Sequence, residues 1–474
     1  MSPTPPSPSD LQHQHQHQRH LLTTQASQLL TISKPHLNPP ALKNLTSLAT
    51  APEIESIAAS LIAFTDDRDA WTTAASKRLA EVVLEGYLRE GSGGGGGSSG
   101  SGVEGREEEK SSSSAGNSDS ATLQTLQSHL LTHIIKPAFT HSSSKNNNPL
   151  LTPLGRKAAY PILPKNANID FSDDNDDNGS KKKPWKNSKI YVPTVLRWVL
   201  VHLDASLVEQ YWPLIIPPLL ALLDDEAIAS KTKGCELIQI LVSRSPPSLL
   251  AKTGLGDLFE DALLPCLLYL PTLISETESL QLLRAVYPAL ICLANARWEG
   301  GESGQEKRLK TFDRILQQGV LGGHQQAGDH VKIADVLVEN AGIIVDEMGI
   351  YSVKYLKVLL PLLSDILAAP FATAYPPLLL TTAKTLKTII LNDWPRITFH
   401  EGELLRGLTV CWCKLKEDNM DDKDRQKAQE DIKGTVALLI NATGGHERFQ
   451  SIRDTLINED DRLKDLFLDN VHKA

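Results

Sequence analysis

Cysteine, methionine and aromatic residues are all scarce in this chain. Its 474 residues include 5 Cys, 3 Met and 7 Trp, and aromatics make up only 5%. The cysteines, Cys235, Cys266, Cys292, Cys411 and Cys413, are too few and too scattered to form a disulfide framework in a chain this long. A reducing compartment, cytoplasm or nucleus, is expected. No uncharged apolar run reaches the roughly 18–20 residues of a membrane span, so no membrane association is expected. Residues 1–19 are rich in Pro, Ser, His and Gln and have no apolar stretch, which predicts no secretory signal. Basic residues number 48 against 57 acidic ones, a net charge of −9 that lacks the excess of a nucleic-acid binder.

Motifs that carry chemistry are also missing. The glycines of Gly254–Asp257 are not followed by GK[ST], and they read as the start of a helix rather than a phosphate loop. No G-x-S-x-G elbow occurs. His129 and His133 have the spacing of two metal ligands on a helix, but no Glu sits between them to act as a base. Cys411 and Cys413 lie two apart on a predicted helix, so their side chains diverge, and they read as small buried hydrophobes. The chain is therefore expected to be no enzyme and to hold no cofactor and no metal.

Much of the first 190 residues is unsuited to a core. His13, His15, His17 and His20 fall in a Gln-His tract within a low-complexity tail over 1–20. Helices are predicted within 21–90, at Glu53–Phe64 and Arg68–Arg89, followed by a flexible Gly/Ser/Glu linker over 91–118. Another helix is expected over 119–136, then a disordered, charged insertion over 137–189. There Ser172 precedes an acidic run, Asp173 to Asp177, and suits an acidophilic kinase. The basic run Lys181–Lys183, in KKKPWK, has the composition of a nuclear import signal.

From residue 190 to 474 the apolar periodicity is that of amphipathic helices. Leu280, Leu283, Tyr287, Leu290 and Ala294 form one stripe. Two more are Ala334, Leu337, Val338, Ala341, Ile344, Val345 and Ala428, Ile432, Val436, Leu439, Ile440. Three proline-bearing segments look alike, YWPLIIPPLLALLDD, FEDALLPCLLYLP and VKYLKVLLPLLSDIL. Pro217 and Pro265 are 48 residues apart, and Pro361 lies 96 further on, with Asp313 midway. These three segments and the proline-free helix KRLKTFDRIL around Asp313 each precede a second predicted helix, at Ile228–Ser243, Glu278–Ala296, His330–Glu347 and Ala374–Leu391. Helix pairs repeating every 40–50 residues predict an all-α fold, a HEAT/armadillo-like α-solenoid. Proline inside the first helix of a pair removes a backbone hydrogen bond and bends it over its neighbours. Asp224 and Asp225 are expected to cap the following helix, with Lys231 and Lys233 reaching back to them. Asp257 and Glu260 have the spacing of a capping box. Trp198, Tyr211, Trp212, Trp394 and Trp412 are either core or interface anchors, and core is the favoured reading.

The segment TGLGDLFEDALLPCLLYLP, Thr253 to Pro271, resembles the signature of the Tel-two-interacting-protein-two family. KPWKNS, PPLLALLDD and ESLQLLRAVYPALICLA support that resemblance, which spans about Lys183 to Lys416. The signature falls on Gly254, Gly256, Asp257, Phe259, Glu260, Asp261, Pro265, Tyr269 and Pro271. Leu258, Phe259, Leu263, Pro265, Leu267 and Leu268 within it are either a docking surface or a packed core, and their apolar density favours core.

The resemblance implies a HEAT-like, non-catalytic subunit of the Triple-T co-chaperone complex. Its partners there would be the Tel-two protein and the large first-interactor subunit. The heat-shock-ninety machinery and phosphatidylinositol-kinase-related protein kinases, which serve DNA-damage and TOR growth signalling, would be engaged indirectly. The partner surface is expected within Tyr351–Leu468. An alternative reading is a HEAT-repeat nuclear transport or nucleic-acid-associated scaffold.

Overall fold

The computed structural model describes residues 58–90, 123–140, 156–157, 183–298 and 301–468. All the regular elements among them are helical, and none is a β-strand. The His-Gln tract, the 91–118 linker, Ser172 with its acidic run, and Lys181–Lys182 lie outside the described residues. Two compact units meet in sequence between Ala221 and Leu222.

In the first unit, α1 (58–62) and α2 (Ala74–Glu90) are separated by a turn where the second predicted helix was to begin. Buried Asp66 fixes that turn by accepting hydrogen bonds from the Arg68 backbone at 3.1 Å and its guanidinium at 2.9 Å. Burial pushes the Asp66 carboxyl up, but the hydrogen bonds and charge of Arg68, with Arg197 nearby, hold it at about 2. Trp71 Nε1 closes the turn on the Ala63 carbonyl at 2.9 Å.

Helix α3 runs over 123–140 through a π-helical stretch, Leu130–Ile135, four residues beyond its predicted end. It is followed by α4 (Pro184–Asn187), α5 (Val192–His202) and α6 (Ala205–Leu223). Helix α5 gathers the unit. It packs on the π-helical stretch, the Thr194 hydroxyl meets Asp69, and Arg197 lies 3.8 Å from Asp66. The N-terminal helices are thus tied to α5 within the first unit. Part of the span assigned to a disordered insertion is also ordered. Trp185, in the KKKPWK segment, is buried and stacks on Phe139 at 5.2 Å.

The second unit follows the repeat. Its helices are α7 (Ile228–Arg244), α8 (Pro247–Thr253), α9 (Leu255–Leu263), α10 (Glu276–Arg297), α11 (Glu302–Arg314), α12 (Gly322–Ala327) and α13 (Val331–Met348). They continue as α14 (Leu356–Ala368), α15 (Pro376–Ile397), α16 (Glu401–Glu417), α17 (Asp422–Ala442), α18 (Gly445–Glu459) and α19 (Lys464–Leu468). Helices α7, α10, α13, α15 and α17 pack each on the next and make one layer. The other layer holds α9 with its 3-10 continuation Leu264–Leu268, α11 with the π-helical stretch Ile315–Leu321, then α14 and α16. This is a solenoid-like stack of helix pairs. Bonds between successive pairs keep the predicted period. Thr385 Oγ1 donates to the Val338 carbonyl 47 residues back, and Lys387 pairs with Asp431 44 residues on.

The stripes explain the layers. Leu283, Tyr287, Leu290 and Ala294 are all buried, as are all the named residues of α13 and α17. Pro265, Asp313 and Pro361 all fall in the second layer. Helices α6 and α10 are long and apolar enough to cross a membrane by length and composition. More than half of each apolar stretch is instead buried within the protein.

Candidate interaction site

Gly254, the first glycine of the signature segment, has φ 67° and ψ 9°, a left-handed conformation that ends α8 and starts α9 in one residue. Helix α9 then carries Asp257 and Glu260 three residues apart on one face. They do not form a capping box. Both carboxylates receive Arg297, from the end of α10, and Arg314 of α11 adds a second contact to Glu260 at 2.6 Å. Glu260 and Arg297 are buried, whereas Asp257 is exposed. Burial raises Glu260, with Arg314 opposing, and it lowers Arg297 to about 10, helped by the Arg314 charge. Gly256 makes room for the cluster, since a Cβ there would lie 2.6 Å from Arg297 Nε.

The rest of the segment is mostly interior. Leu258, Phe259, Leu263 and Leu267 are buried, while Asp261, Pro265 and Leu268 are exposed. Tyr269 and Pro271 are half-buried at its end. The Tyr269 carbonyl accepts from Ser279 Oγ at 2.6 Å, and Lys231 Nζ sits 5.3 Å from the Tyr269 ring centroid. The signature is chiefly a packed junction of three helices.

The Asp224–Asp225 turn is built differently from the expectation. The N-cap of α7 is Ala227, extended at ψ 125° and without a side-chain cap, so both aspartates lie upstream of the capping position. Lys231 Nζ donates instead to the Leu223 carbonyl at 2.6 Å, satisfying the end of α6. The reciprocal capping box in this region is Ser275 with Glu278, at the start of α10. S-x-x-E ahead of an apolar run was its signal in the sequence. Arg297 and Arg314 left no comparable trace, because they reach the signature from 37 and 54 residues further along.

No group of three or more His, Cys, Asp or Glu side chains that could hold a metal occurs among the described residues. The rings of His129 and His133 lie 4.7 Å apart between centroids, tilted by 36°. Cys411 is buried, and burial pushes its thiol up to about 12. Cys413 is half-buried with its thiol 3.5 Å from Asp460. Trp198, Tyr211, Trp212 and Trp412 are core, but Trp394 is not: it is 61% exposed. The helical φ/ψ path of α15 breaks at Asp393, immediately before it. Ile350, Tyr351, Val358, Phe371, Leu391 and Phe399 are also exposed in this stretch of chain. The exposed large apolar side chains of the second unit are thus most numerous between residues 350 and 399.

Several known proteins are similar. TEL2-interacting protein 2 of Saccharomyces cerevisiae is 24% identical over 257 residues, 51% of this chain and 60% of the yeast protein. TELO2-interacting protein 2 of Rattus norvegicus is 23% identical over 267 residues, covering 55% of this chain and 49% of the rat protein. The Mus musculus protein of that name is 23% identical over 259 residues, with the same two shares. The chain thus spans roughly half or somewhat more of the length of these relatives. No solved structure matches it. A family model matches residues 57–374. That match takes in the N-terminal helices, which the resemblance seen in the sequence left out, and it stops short of Lys416. The family is the one the signature suggested, and the chain belongs to the Tti2 family.

Proposed function

We propose that this chain is a non-catalytic scaffold subunit of the Triple-T complex, binding the Tel-two protein and the large first-interactor subunit. In this reading it works with the heat-shock-ninety chaperone in the maturation and stability of phosphatidylinositol-kinase-related protein kinases, in cytoplasm and nucleus. The observation that supports it is the Tti2 family match over 57–374, with relatives named for interaction with TEL2. The solenoid-like stack suits the role, since such stacks present long surfaces to other chains. Affinity purification of the tagged chain followed by mass spectrometry is the test. Recovery of both subunits with kinase clients is expected, and their absence would refute the reading.

The partner surface is best probed by point substitution. Deleting Asn419–Ala474 would remove α17, which packs on α15, and the Arg462 carbonyl that accepts from Trp412 Nε1 at 2.9 Å. Lost binding would then report damage to the core.

A further inference from the structure

Near its end α15 leaves helical geometry at Asp393, which has φ −113° and ψ 18°. Two residues on, Pro395 has no N–H to continue the ladder. The Asp393 side chain is nonetheless buried. Its Oδ2 lies 2.8 Å from Ser352 Oγ, and that same oxygen lies 2.7 Å from the Gly349 carbonyl. A serine hydroxyl has one proton, and here it faces two acceptors. Asp393 Oδ1 has no hydrogen-bond partner.

A proton on Asp393 resolves the shortage. Oδ2–H donates to Ser352 Oγ, Ser352 donates to Gly349, and no charge is left in the interior. Gly349 sits at φ 55° in the turn that ends α13. We propose that Asp393 is a proton-dependent latch: as the neutral acid it ties the broken end of α15 through Ser352 to the Gly349 turn, whereas the ionised carboxylate competes with the Gly349 carbonyl for the one Ser352 proton and leaves a buried charge with Oδ1 unbonded, which loosens the segment Leu391–Phe399.

Charged groups on the surrounding elements are engaged elsewhere. Asp346 of α13 accepts from Asn392, Glu347 is held by Arg308, and Lys354 pairs with Asp313. Asp365 of α14 pairs with Arg406 and Asp431 of α17 with Lys387, while Arg396 lies over the Phe399 ring. Tyr351 and Lys357 are exposed, Tyr355 donates to Asp313, and His400 follows in the next turn. Burial raises the Asp393 carboxyl from 3.8 to about 6, with the Ser352 hydrogen bond pulling the other way. The sign follows from linkage. The latch contributes fully below pH 3.8 and weakens as pH rises through about 6.

Hydrogen exchange of the full chain, corrected for intrinsic rates, tests this at about pH 5 and pH 7.5. Protection of peptides covering 389–400 should fall about tenfold across that interval, while peptides of α10 should not change in step. In Asp393→Asn the amide donates to Ser352 at either pH, so the slope should vanish. A wild-type chain whose 389–400 protection is independent of pH would overturn the latch, as would an Asp393→Asn chain that keeps the slope. The wild-type measurement decides by itself if the variant fails to fold.

Discussion

Arg297 is held over Gly256 by Asp257 and Glu260, and this contact shows how much one residue can determine. Removing it would leave a buried carboxylate with half-exposed Arg314 as its remaining charged partner. Arg297→Met should destabilise the chain by roughly 3–5 kcal/mol, the cost typical of breaking a buried ion pair from one side. Thermal melts of the two chains check this. Arg314→Met should cost clearly less, because Arg297 stays on Glu260. Gly256→Ala adds a methyl group where Arg297 is pinned and should cost about 1–3 kcal/mol. A Gly256→Ala chain melting like wild type would show that Arg297 can give way.

At the scale of the element, α10 is the most demanding helix of the stack. It packs on α7 and α13, and both Leu282 and Leu283 are fully buried. Leu283→Asp would put an unpaired charge into a helix seam and should unfold neighbouring pairs together, seen as a large loss of helical circular dichroism. An unchanged melting curve would contradict the packing. Ser275→Ala removes one half of the capping box and should cost about 1 kcal/mol.

The second helices of the pairs were legible in the sequence because their stripes are long and one-sided. The predicted Ile228–Ser243 and His330–Glu347 fall within a residue of α7 and α13. Features set by distant contacts were not legible. Asp257 and Glu260 have capping spacing, but Arg297 claims them from 37 residues beyond Glu260. Trp394 reads as core by residue type, yet the break at Asp393 precedes an exposed indole. Asp224 and Asp225 miss the cap because the last non-helical residue before α7 is Ala227.

For the whole molecule, the scarcity of aromatics has a structural counterpart. The second unit is filled mainly by Leu, Ile, Val and Ala, and several of its few large rings lie outside the core. Trp394 and Phe399 are 61% and 76% exposed, so replacing both with Ala should shift stability by no more than about 0.5 kcal/mol. If they belong to the partner surface, the double variant should melt like wild type and retain less of the other Triple-T subunits in a pull-down. Full retention would place the surface elsewhere.

The most direct test of the scaffold reading mixes the purified full chain with purified Tel-two protein and large first-interactor subunit, then follows the mixture by size-exclusion chromatography. Co-elution of all three in one peak, ahead of each subunit alone, is the predicted result. Elution of this chain at its own unshifted position, with the other two proteins folded and present, would contradict it.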